Sequence, residues 1–263
     1  MRRAGKFARF ISMKKIILVL CCFLAGCAYR HPLADFRFQT EPAGSYVVAS
    51  WSKVEAPGQP VKIYIEGDGE ALNADGRPAG DPTPRNLFWR KIAGADPSPN
   101  VVYLARPCQF IPAGACAPTD WTSGRFSPKI IDAMDAAVRQ AMKKARTDQV
   151  VLLGYDGGAQ VAGLIAVRHP AGVRKLITVA GVLDHKAWTS HHGYKPLSHS
   201  LNLADKRAQL APIPQIHYVG GRDDVAPPAL AQAVADEKTI VVVPRATHSA
   251  GFDKIIPALY RER

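Results

Sequence analysis

Short apolar runs alternate with stretches that carry apolar residues at helical spacing along most of this chain. Six runs are almost continuously apolar and rich in β-branched residues, which is typical of strands covered on both faces of a sheet. These runs are residues 61–67, 101–106, 150–155, 175–181, 215–221 and 239–244. A seventh run, residues 45–51, is interpreted as an edge strand.

Helices are predicted between these strands. An apolar stripe at helical spacing predicts a core-facing helix and consists of Ile131, Met134, Val138 and Met142. Thr83 and Pro84 are residue types that begin helices. Further helices are predicted at residues 158–167, 228–235 and 252–261. The alternation predicts an α/β fold with a doubly wound, mainly parallel sheet and right-handed crossovers.

The first 26 residues differ in character from the rest of the chain. They contain six basic residues and no acidic one, and an apolar run at residues 16–24 follows the charges. This pattern predicts a secretory signal peptide. The apolar run is shorter than the roughly 20 residues that a membrane-spanning helix needs.

The run ends in Leu24-Ala25-Gly26-Cys27, which resembles the lipobox of bacterial lipoproteins, whose cysteine is lipidated and becomes the first mature residue. We therefore predict a signal peptide at residues 1–26, a lipidated tether at 27–43 and one folded domain at 44–263. The protein would be exported and anchored by lipid to the bacterial cell envelope, facing the periplasm. The alternatives are an ordinary cleaved signal or an N-terminal anchor, with Cys27 playing no part.

The charge balance does not indicate a nucleic-acid partner. The whole chain carries a formal charge of +12. Without the six cations of the predicted signal, 28 basic and 22 acidic residues remain. A surplus of this size without a nucleic-acid-binding motif favours solubility or attraction to anionic envelope surfaces.

Two cysteines remain in the predicted folded domain, Cys108 and Cys116. In an exported protein this pair predicts a disulfide that closes a short loop. Two free thiols are the alternative. A metal site is disfavoured because no second cysteine pair completes one.

Chemistry is expected where the strands end, because open parallel sheets bind ligands beyond the carboxyl ends of their strands. Asp156 directly follows the run 150–155 and stands between Gly154 and Gly158. A nucleophile elbow needs small residues two positions before and after the reactive side chain, because its turn is strained and tightly packed. The stretch resembles the elbow of the α/β-hydrolase fold, where the usual form is G-x-S-x-G and an aspartate replaces the serine in some branches.

That resemblance implies an oxyanion hole made of backbone N–H groups. One would come from Asp68 or Gly69, in the loop after the run 61–67, and the other from Gly157. A glycine-rich tight turn without a catalytic role is the alternative for the loop.

It also implies an acid and a histidine after later strands. Asp223 follows the run 215–221, with Asp224 in reserve, and His248 follows the last run. The order Asp156, Asp223, His248 is that of nucleophile, acid and histidine in α/β-hydrolases. As an alternative, the two aspartates only cap the following helix.

The stretch from residue 182 to 210 is predicted to form a short lid loop over the site, with Trp188, His191 and Tyr194 contacting a small-molecule substrate or ligand. The spacing of the four histidines in this stretch matches no standard metal site; they are His185, His191, His192 and His199. No cysteine or paired carboxylate completes a site, so no metal is expected. No organic cofactor is expected either, because the glycine-rich turns lack the dinucleotide-binding and phosphate-binding spacings.

Further stretches carry a closer resemblance. "EGDG", "YLARPCQF", "WTSGRFS" and "VGGRDDVAPP" are similar to a group of bacterial α/β-hydrolase lipoproteins whose elbow reads G-Y-S-G-G. The resemblance implies an envelope hydrolase. Asp156 is the departure, so the role of the serine does not transfer to it unchanged.

An aspartate that attacked an ester carbonyl would form a mixed anhydride, a poor route compared with a seryl acyl-enzyme. Attack on a saturated carbon is the alternative, as resemblance to haloalkane dehalogenases and epoxide hydrolases implies. Those enzymes, however, usually have a larger cap and a His-Gly-x-Pro loop that this chain lacks. Three interpretations follow: a hydrolase that uses Asp156, a catalytically silent binding protein that has lost its serine, and a serine hydrolase altered at one codon.

Overall fold

Eight strands form one sheet at the centre of the fold. The computed structural model describes residues 31–111, 113 and 115–262, so the predicted signal peptide and Cys27 lie outside the described residues. The strands are β1 (Arg37–Ala43), β2 (Tyr46–Val54), β3 (Val61–Ile65), β4 (Asn100–Leu104), β5 (Val150–Tyr155), β6 (Val173–Val179), β7 (Gln215–Gly220) and β8 (Ile240–Val243). Their order across the sheet is β1-β2-β4-β3-β5-β6-β7-β8. Only the β1–β2 and β2–β4 pairs are antiparallel, which confirms the mainly parallel α/β sheet.

The N-terminal edge of this sheet differs from the prediction. Residues 37–43, assigned to the tether, form β1 and pair with β2 along their whole length. The predicted domain start at residue 44 was therefore too late, and the compact unit of the fold begins at Pro32. The run 45–51 is also not at an edge, because β2 lies between β1 and β4. Four of the seven residues of β1 are polar or charged, so its sequence carries little apolar signal.

Seven helices accompany the strands. They are α1 (Phe88–Gly94), α2 (Pro128–Lys144), α3 (Gly157–Arg168), α4 (His185–His192), α5 (Arg207–Leu210), α6 (Pro228–Gln232) and α7 (Ile256–Arg261), counted over the described part of the chain. Short 3-10 turns lie at Pro118–Asp120, Pro170–Gly172, Leu203–Lys206, Glu237–Thr239 and Asp253–Ile255. Helices α2 and α3 pack on one face of the sheet, and α1 and α7 pack on the other.

The continuous apolar runs are explained by this two-sided cover. Successive strand residues point to opposite faces, so Leu152 of β5 packs with α2 and α3 while Leu153 packs with α1. All residues of β3, β4 and β5 are buried. A fully buried large apolar side chain stabilises the fold by roughly 1.5–3 kcal/mol relative to an exposed one. The buried central strands therefore fix the points at which the loops of the site begin.

The helix predictions had mixed outcomes. Ile131, Met134 and Val138 are buried on α2 as the stripe predicted. The predicted start at Thr83 and Pro84 was wrong, because α1 begins only at Phe88. The hydroxyl oxygen of Thr83 instead accepts a hydrogen bond from the backbone N–H of Phe110 at 2.6 Å. A loop contact thus uses the side chain that the sequence assigned to a helix cap.

The predicted disulfide is confirmed. Cys108 and Cys116 are bonded, and their Cα atoms lie 5.7 Å apart. No helix within residues 31–262 as described is long and apolar enough to cross a membrane. No group of three metal-ligating side chains occurs among the same residues.

Candidate active site

The turn between β5 and α3 holds Asp156 in an unusual backbone conformation. Its φ is 51° and its ψ is −125°, a region that residues with a side chain rarely occupy. An added Cβ at Gly154 would lie 2.5 Å from the carbonyl oxygen of Gly158, and one at Gly158 would lie 2.5 Å from that of Glu66. The flanking positions therefore accept only glycine, which is the packing that a sharp elbow requires.

The structure brings the three predicted triad residues together. His248 Nε2 lies 3.4 Å from Asp156 Oδ1, and His248 Nδ1 lies 3.0 Å from Asp223 Oδ2. The Asp223 side chain is fully buried, and its Oδ1 accepts hydrogen bonds from the backbone N–H groups of Val225 and Ala226 at 2.9 and 2.8 Å. The reserve candidate, Asp224, is exposed and makes no such contact.

The predicted oxyanion-hole residues surround the carboxylate of Asp156 itself. The backbone N–H of Asp68 donates to Asp156 Oδ2 at 2.9 Å, and the backbone N–H of Gly157 also favours the charged form of that carboxylate. Gly69 lies in the cavity wall next to them, at a φ of +67°. One carboxylate oxygen thus occupies the backbone pocket, while the other faces His248.

The charges of this group reinforce one another. Burial alone would lower the pKa of His248, but its hydrogen bonds and attraction to Asp156 and Asp223 outweigh burial and raise the pKa to about 10. Burial likewise would raise the pKa of Asp156, but His248 and the N–H groups of Asp68 and Gly157 outweigh it, so this pKa lies below its usual range. At neutral pH the site therefore holds an imidazolium between two carboxylates.

Two buried arginines and one buried glutamine hold the loop that carries the Asp68 N–H. Arg106 and Arg125 each form an ion pair with one oxygen of the Asp68 carboxylate. The side-chain amide of Gln109 donates to the carbonyl oxygens of Gly67 and Asp68 at 2.9 and 3.3 Å. Sequence reasoning did not find these residues, and the available signal was that an arginine ends the apolar run 101–106.

A buried carboxylic acid lies behind the same loop. Burial raises the pKa of Glu66 to about 7, although the hydroxyl of Tyr103 and the backbone N–H of Gly67 both donate to it. The negative charge of Asp156 acts in the same direction as burial. Glu66 therefore adds little negative charge beside Asp156 below neutral pH.

A cavity of about 970 Å³ opens in front of Asp156 and His248. Two of the three predicted substrate contacts, Trp188 and Tyr194, line it, whereas His191 does not. Trp188 Nε1 donates to the carbonyl oxygen of Val225 at 2.7 Å, which fixes the predicted lid against the loop after Asp223. Sequence reasoning missed much of the remaining wall, which includes Leu72, Pro78, Arg85, Trp89, Arg125, Tyr155, Lys195 and Leu197.

The prediction of His191 failed because of the rotation of a short helix. His191 is exposed at the end of α4, and its ring packs against that of His192 at 4.9 Å. His192 takes the inward position and lies 2.9 Å from the Val225 carbonyl oxygen through Nε2. Neither residue is placed among those that line the cavity.

Comparison with solved structures identifies the fold. Est1E from Butyrivibrio proteoclasticus, with ferulic acid bound, is 12% identical with a TM-score of 0.63, over 84% of this chain and 96% of its own. The esterase Pf2001 from Pyrococcus furiosus is 12% identical with a TM-score of 0.57, over 86% and 89%. An α/β serine hydrolase without a lid from Xanthomonas campestris is 16% identical with a TM-score of 0.52, over 86% and 90%. The chain has the α/β-hydrolase fold, and by sequence it matches no family model and no curated protein.

Proposed function

We propose that this α/β-hydrolase-fold chain is a hydrolase that cleaves a bond at a saturated carbon, with Asp156 as the nucleophile. The observation that carries the proposal is the hydrogen bond of 2.9 Å from the Asp68 N–H to Asp156 Oδ2. It leaves Oδ1, whose contact is with His248 Nε2 at 3.4 Å, as the proposed attacking oxygen. The elbow at Asp156 and its place in the cavity wall support the same assignment.

Acyl transfer fits this site poorly. A tetrahedral oxyanion needs backbone donors that are free to receive it, but here the carboxylate of Asp156 already accepts a bond from Asp68. A carboxylate that attacked an ester carbonyl would also form a reactive anhydride. A backbone pocket filled by the nucleophile itself suits a reaction whose charge develops on the nucleophile's own carboxyl group.

The first step is a displacement. Asp156 Oδ1 forms a bond to the substrate carbon, and the bond from that carbon to its leaving group breaks. A halide leaves with the bonding electron pair, whereas the oxygen of an epoxide keeps the pair and takes a proton from water. The product is an alkyl ester of Asp156, whose carbonyl oxygen is the Oδ2 held by the Asp68 N–H.

The second step is hydrolysis of that ester. Water attacks the carboxyl carbon of Asp156, and His248 accepts its proton through Nε2 while Asp223 orients the ring through Nδ1. His248 returns that proton to the departing alkoxide, which leaves as the alcohol. The carboxylic acid left on Asp156 then gives its proton to His248, which restores the carboxylate and the resting imidazolium. In the resting site His248 is protonated because two carboxylates raise its pKa. Alkylation removes one of these charges, so the pKa of His248 falls when a base is needed.

The cavity favours substrates larger than the shortest haloalkanes. Its volume of about 970 Å³ lies at the upper end of the range of roughly 300–1,000 Å³ for small-molecule sites. Its wall combines apolar and aromatic residues with the exposed cations Arg85 and Lys195. We infer a halide or epoxide on a sizeable, mainly apolar body.

The proposed place of action is the bacterial envelope, with the chain held at a membrane by lipid on Cys27. This part rests on the basic and apolar pattern of residues 1–26 and on the lipobox-like stretch before Cys27. Mass spectrometry of the protein from a bacterial membrane fraction tests it. The expected mature chain begins at a lipidated Cys27, and an unmodified Cys27 in a mature chain would contradict the proposal.

The decisive experiment compares the purified protein with its Asp156→Ser variant on haloalkanes, epoxides and short-chain esters. We expect the natural chain to turn over an alkyl substrate. A single turnover in water labelled with ¹⁸O should place the label in the carboxyl group of Asp156, because water attacks that carbon. Turnover without label in Asp156 would refute its role as nucleophile.

A second candidate function is binding without turnover. It is favoured by the ion pair between His248 and Asp156, whose atoms lie 3.4 Å apart, since an abandoned triad can persist as a buried ion pair. The same experiment separates the two functions. Ester cleavage by Asp156→Ser together with an inert natural chain would support the silent protein or a serine hydrolase altered at one codon.

A further inference from the structure

The peptide group between Gly67 and Asp68 is held at both of its ends. Its N–H, on Asp68, donates to Asp156 Oδ2 at 2.9 Å. Its carbonyl oxygen, on Gly67, accepts from Gln109 Nε2 at 2.9 Å. Because a peptide group is planar and rigid, the Gln109 amide sets the direction in which the Asp68 N–H points. Gln109 is only 2% exposed, so water does not compete for this bond.

Gln109 is itself fixed by a strained turn. Its Oε1 accepts a hydrogen bond from the Arg106 backbone N–H at 2.9 Å. The residues on either side, Cys108 and Phe110, have φ values of 73° and 62°. Residues with side chains keep such conformations only where the surrounding structure enforces them. The bond from Cys108 to Cys116 is the covalent part of that enforcement.

The disulfide also joins the two segments that hold Asp68. Arg106 and Gln109 lie on either side of Cys108. Cys116 leads into the segment that carries Arg125, the second guanidinium on the Asp68 carboxylate. An added Cβ at Gly157 would lie 2.1 Å from Asp68 Oδ1, so the clamped Asp68 side chain packs directly on the elbow.

We propose that Gln109 is a positioning residue for the Asp68 N–H, and that the Cys108–Cys116 disulfide keeps Gln109 in place. Gln109 is not among the residues that line the large cavity, so it acts on the chemical step rather than on substrate binding. The expected effect on kcat rests on the proposed role of Asp156 as nucleophile. The structural consequence, an ordered Asp68 N–H, does not depend on turnover.

The test replaces Gln109 by methionine, which has a similar volume and no amide. We expect kcat on an alkyl substrate to fall about tenfold to hundredfold, since small misplacements at a reacting centre have effects of this size. KM should stay within about twofold. Hydrogen exchange of the Asp68 amide, followed by NMR, should become faster. The matched control is Gln149→Met, because within the described part of the chain the Gln149 amide makes a single side-chain hydrogen bond, a 3.5 Å contact with the carbonyl oxygen of the neighbouring Asp148.

Reduction of the disulfide in the wild-type protein provides a second measurement if Gln109→Met does not fold. A dithiol reduces Cys108 and Cys116 to two thiols and is itself oxidised to a disulfide. We expect the same fall in kcat and the same faster exchange at Asp68, both reversed on reoxidation. Unchanged kcat and unchanged Asp68 exchange in folded, reduced protein or in Gln109→Met would overturn the proposal. Suppose that Asp68 exchange becomes faster on reduction or in Gln109→Met, while the wild-type chain turns over no alkyl substrate. That result would support the positioning role of Gln109 and reject the proposed function.

Discussion

Replacing Asp156 by asparagine removes the charge beside His248 and keeps the shape of the side chain. In the natural chain burial opposes the charged form of His248, but Asp156 and Asp223 outweigh burial and raise its pKa to about 10. In Asp156→Asn only Asp223 remains to favour the imidazolium. We expect the pKa of His248 to fall by at least about one unit, because one of two comparable partners is lost.

The effect on stability follows from the sign of the shift. A histidine whose pKa is raised by folding contributes its full stabilisation below the unfolded value of about 6.5 and loses it as the pH rises to the folded value of about 10. Over that window each pH unit lowers the free energy of unfolding by about 1.4 kcal/mol. The contribution of His248 should therefore decline by about 2–3 kcal/mol between pH 7 and pH 9 in the natural chain. In Asp156→Asn this decline should be smaller, at about 2 kcal/mol if the pKa falls by one unit and about 1 kcal/mol if it falls by two.

Two assays measure this. Urea denaturation at pH 7, 8 and 9 gives the free energies of unfolding, and NMR titration of the His248 imidazole gives its pKa directly. Asp224→Asn is the control, because Asp224 is the exposed neighbour of Asp223 and its loss should leave both quantities unchanged. The electrostatic reasoning fails if His248 titrates near 6.5 in the natural chain, or if Asp156→Asn has the same pH dependence of stability.

Three further changes have defined outcomes. His248→Ala should abolish turnover, whereas His191→Ala should keep it within about tenfold of the natural rate. Equal losses of turnover in the two variants would indicate that the reacting groups lie in the lid. Gly157→Ala should lower the free energy of unfolding in urea by about 1–3 kcal/mol, because its Cβ would lie 2.1 Å from Asp68 Oδ1. Gly80→Ala is its control, since no atom lies within 4 Å of the added Cβ, and equal midpoints for the two variants would contradict the packing. Reduction of the disulfide, whose cysteines are 8 residues apart, should lower the free energy of unfolding by about 2.5 kcal/mol on the loop-entropy relation, and an unchanged thermal midpoint would show that the bond does not stabilise the fold.

The central strands were predictable because a strand that is buried on both faces has a nearly continuous apolar sequence. Residues 150–155 are apolar or glycine except for Tyr155, and they form β5 with the predicted bounds. The polar strand β1 has no such sequence, since it forms by pairing with β2 at the edge of the sheet. Its register depends on contacts between two chain segments, and these are not encoded in either segment alone.

The positions of the site residues were predictable for a related reason. Asp156, Asp223 and His248 each follow a strand, so the fold brings them to one edge of the sheet. The clamp on Asp68 was not predictable, because Arg106 and Arg125 lie 38 and 57 positions away in sequence. Nothing local distinguishes an arginine that will be buried against a carboxylate from one that will be exposed. The prediction that His191 contacts the substrate failed for the same reason. The sequence of a short helix does not show which of its faces will point into the cavity.

The backbone conformation of Asp156 sets stability and activity against each other. A residue with a side chain at a φ of 51° and a ψ of −125° costs roughly 1–3 kcal/mol, and glycine would avoid most of that cost. At alkaline pH, where His248 is neutral and its pairing with Asp156 no longer stabilises the fold, a search for heat-resistant forms of this protein would thus be expected to recover Asp156→Gly and to discard the proposed nucleophile with it. Thermal selection on this scaffold should therefore be combined with a screen for turnover, or with position 156 held constant.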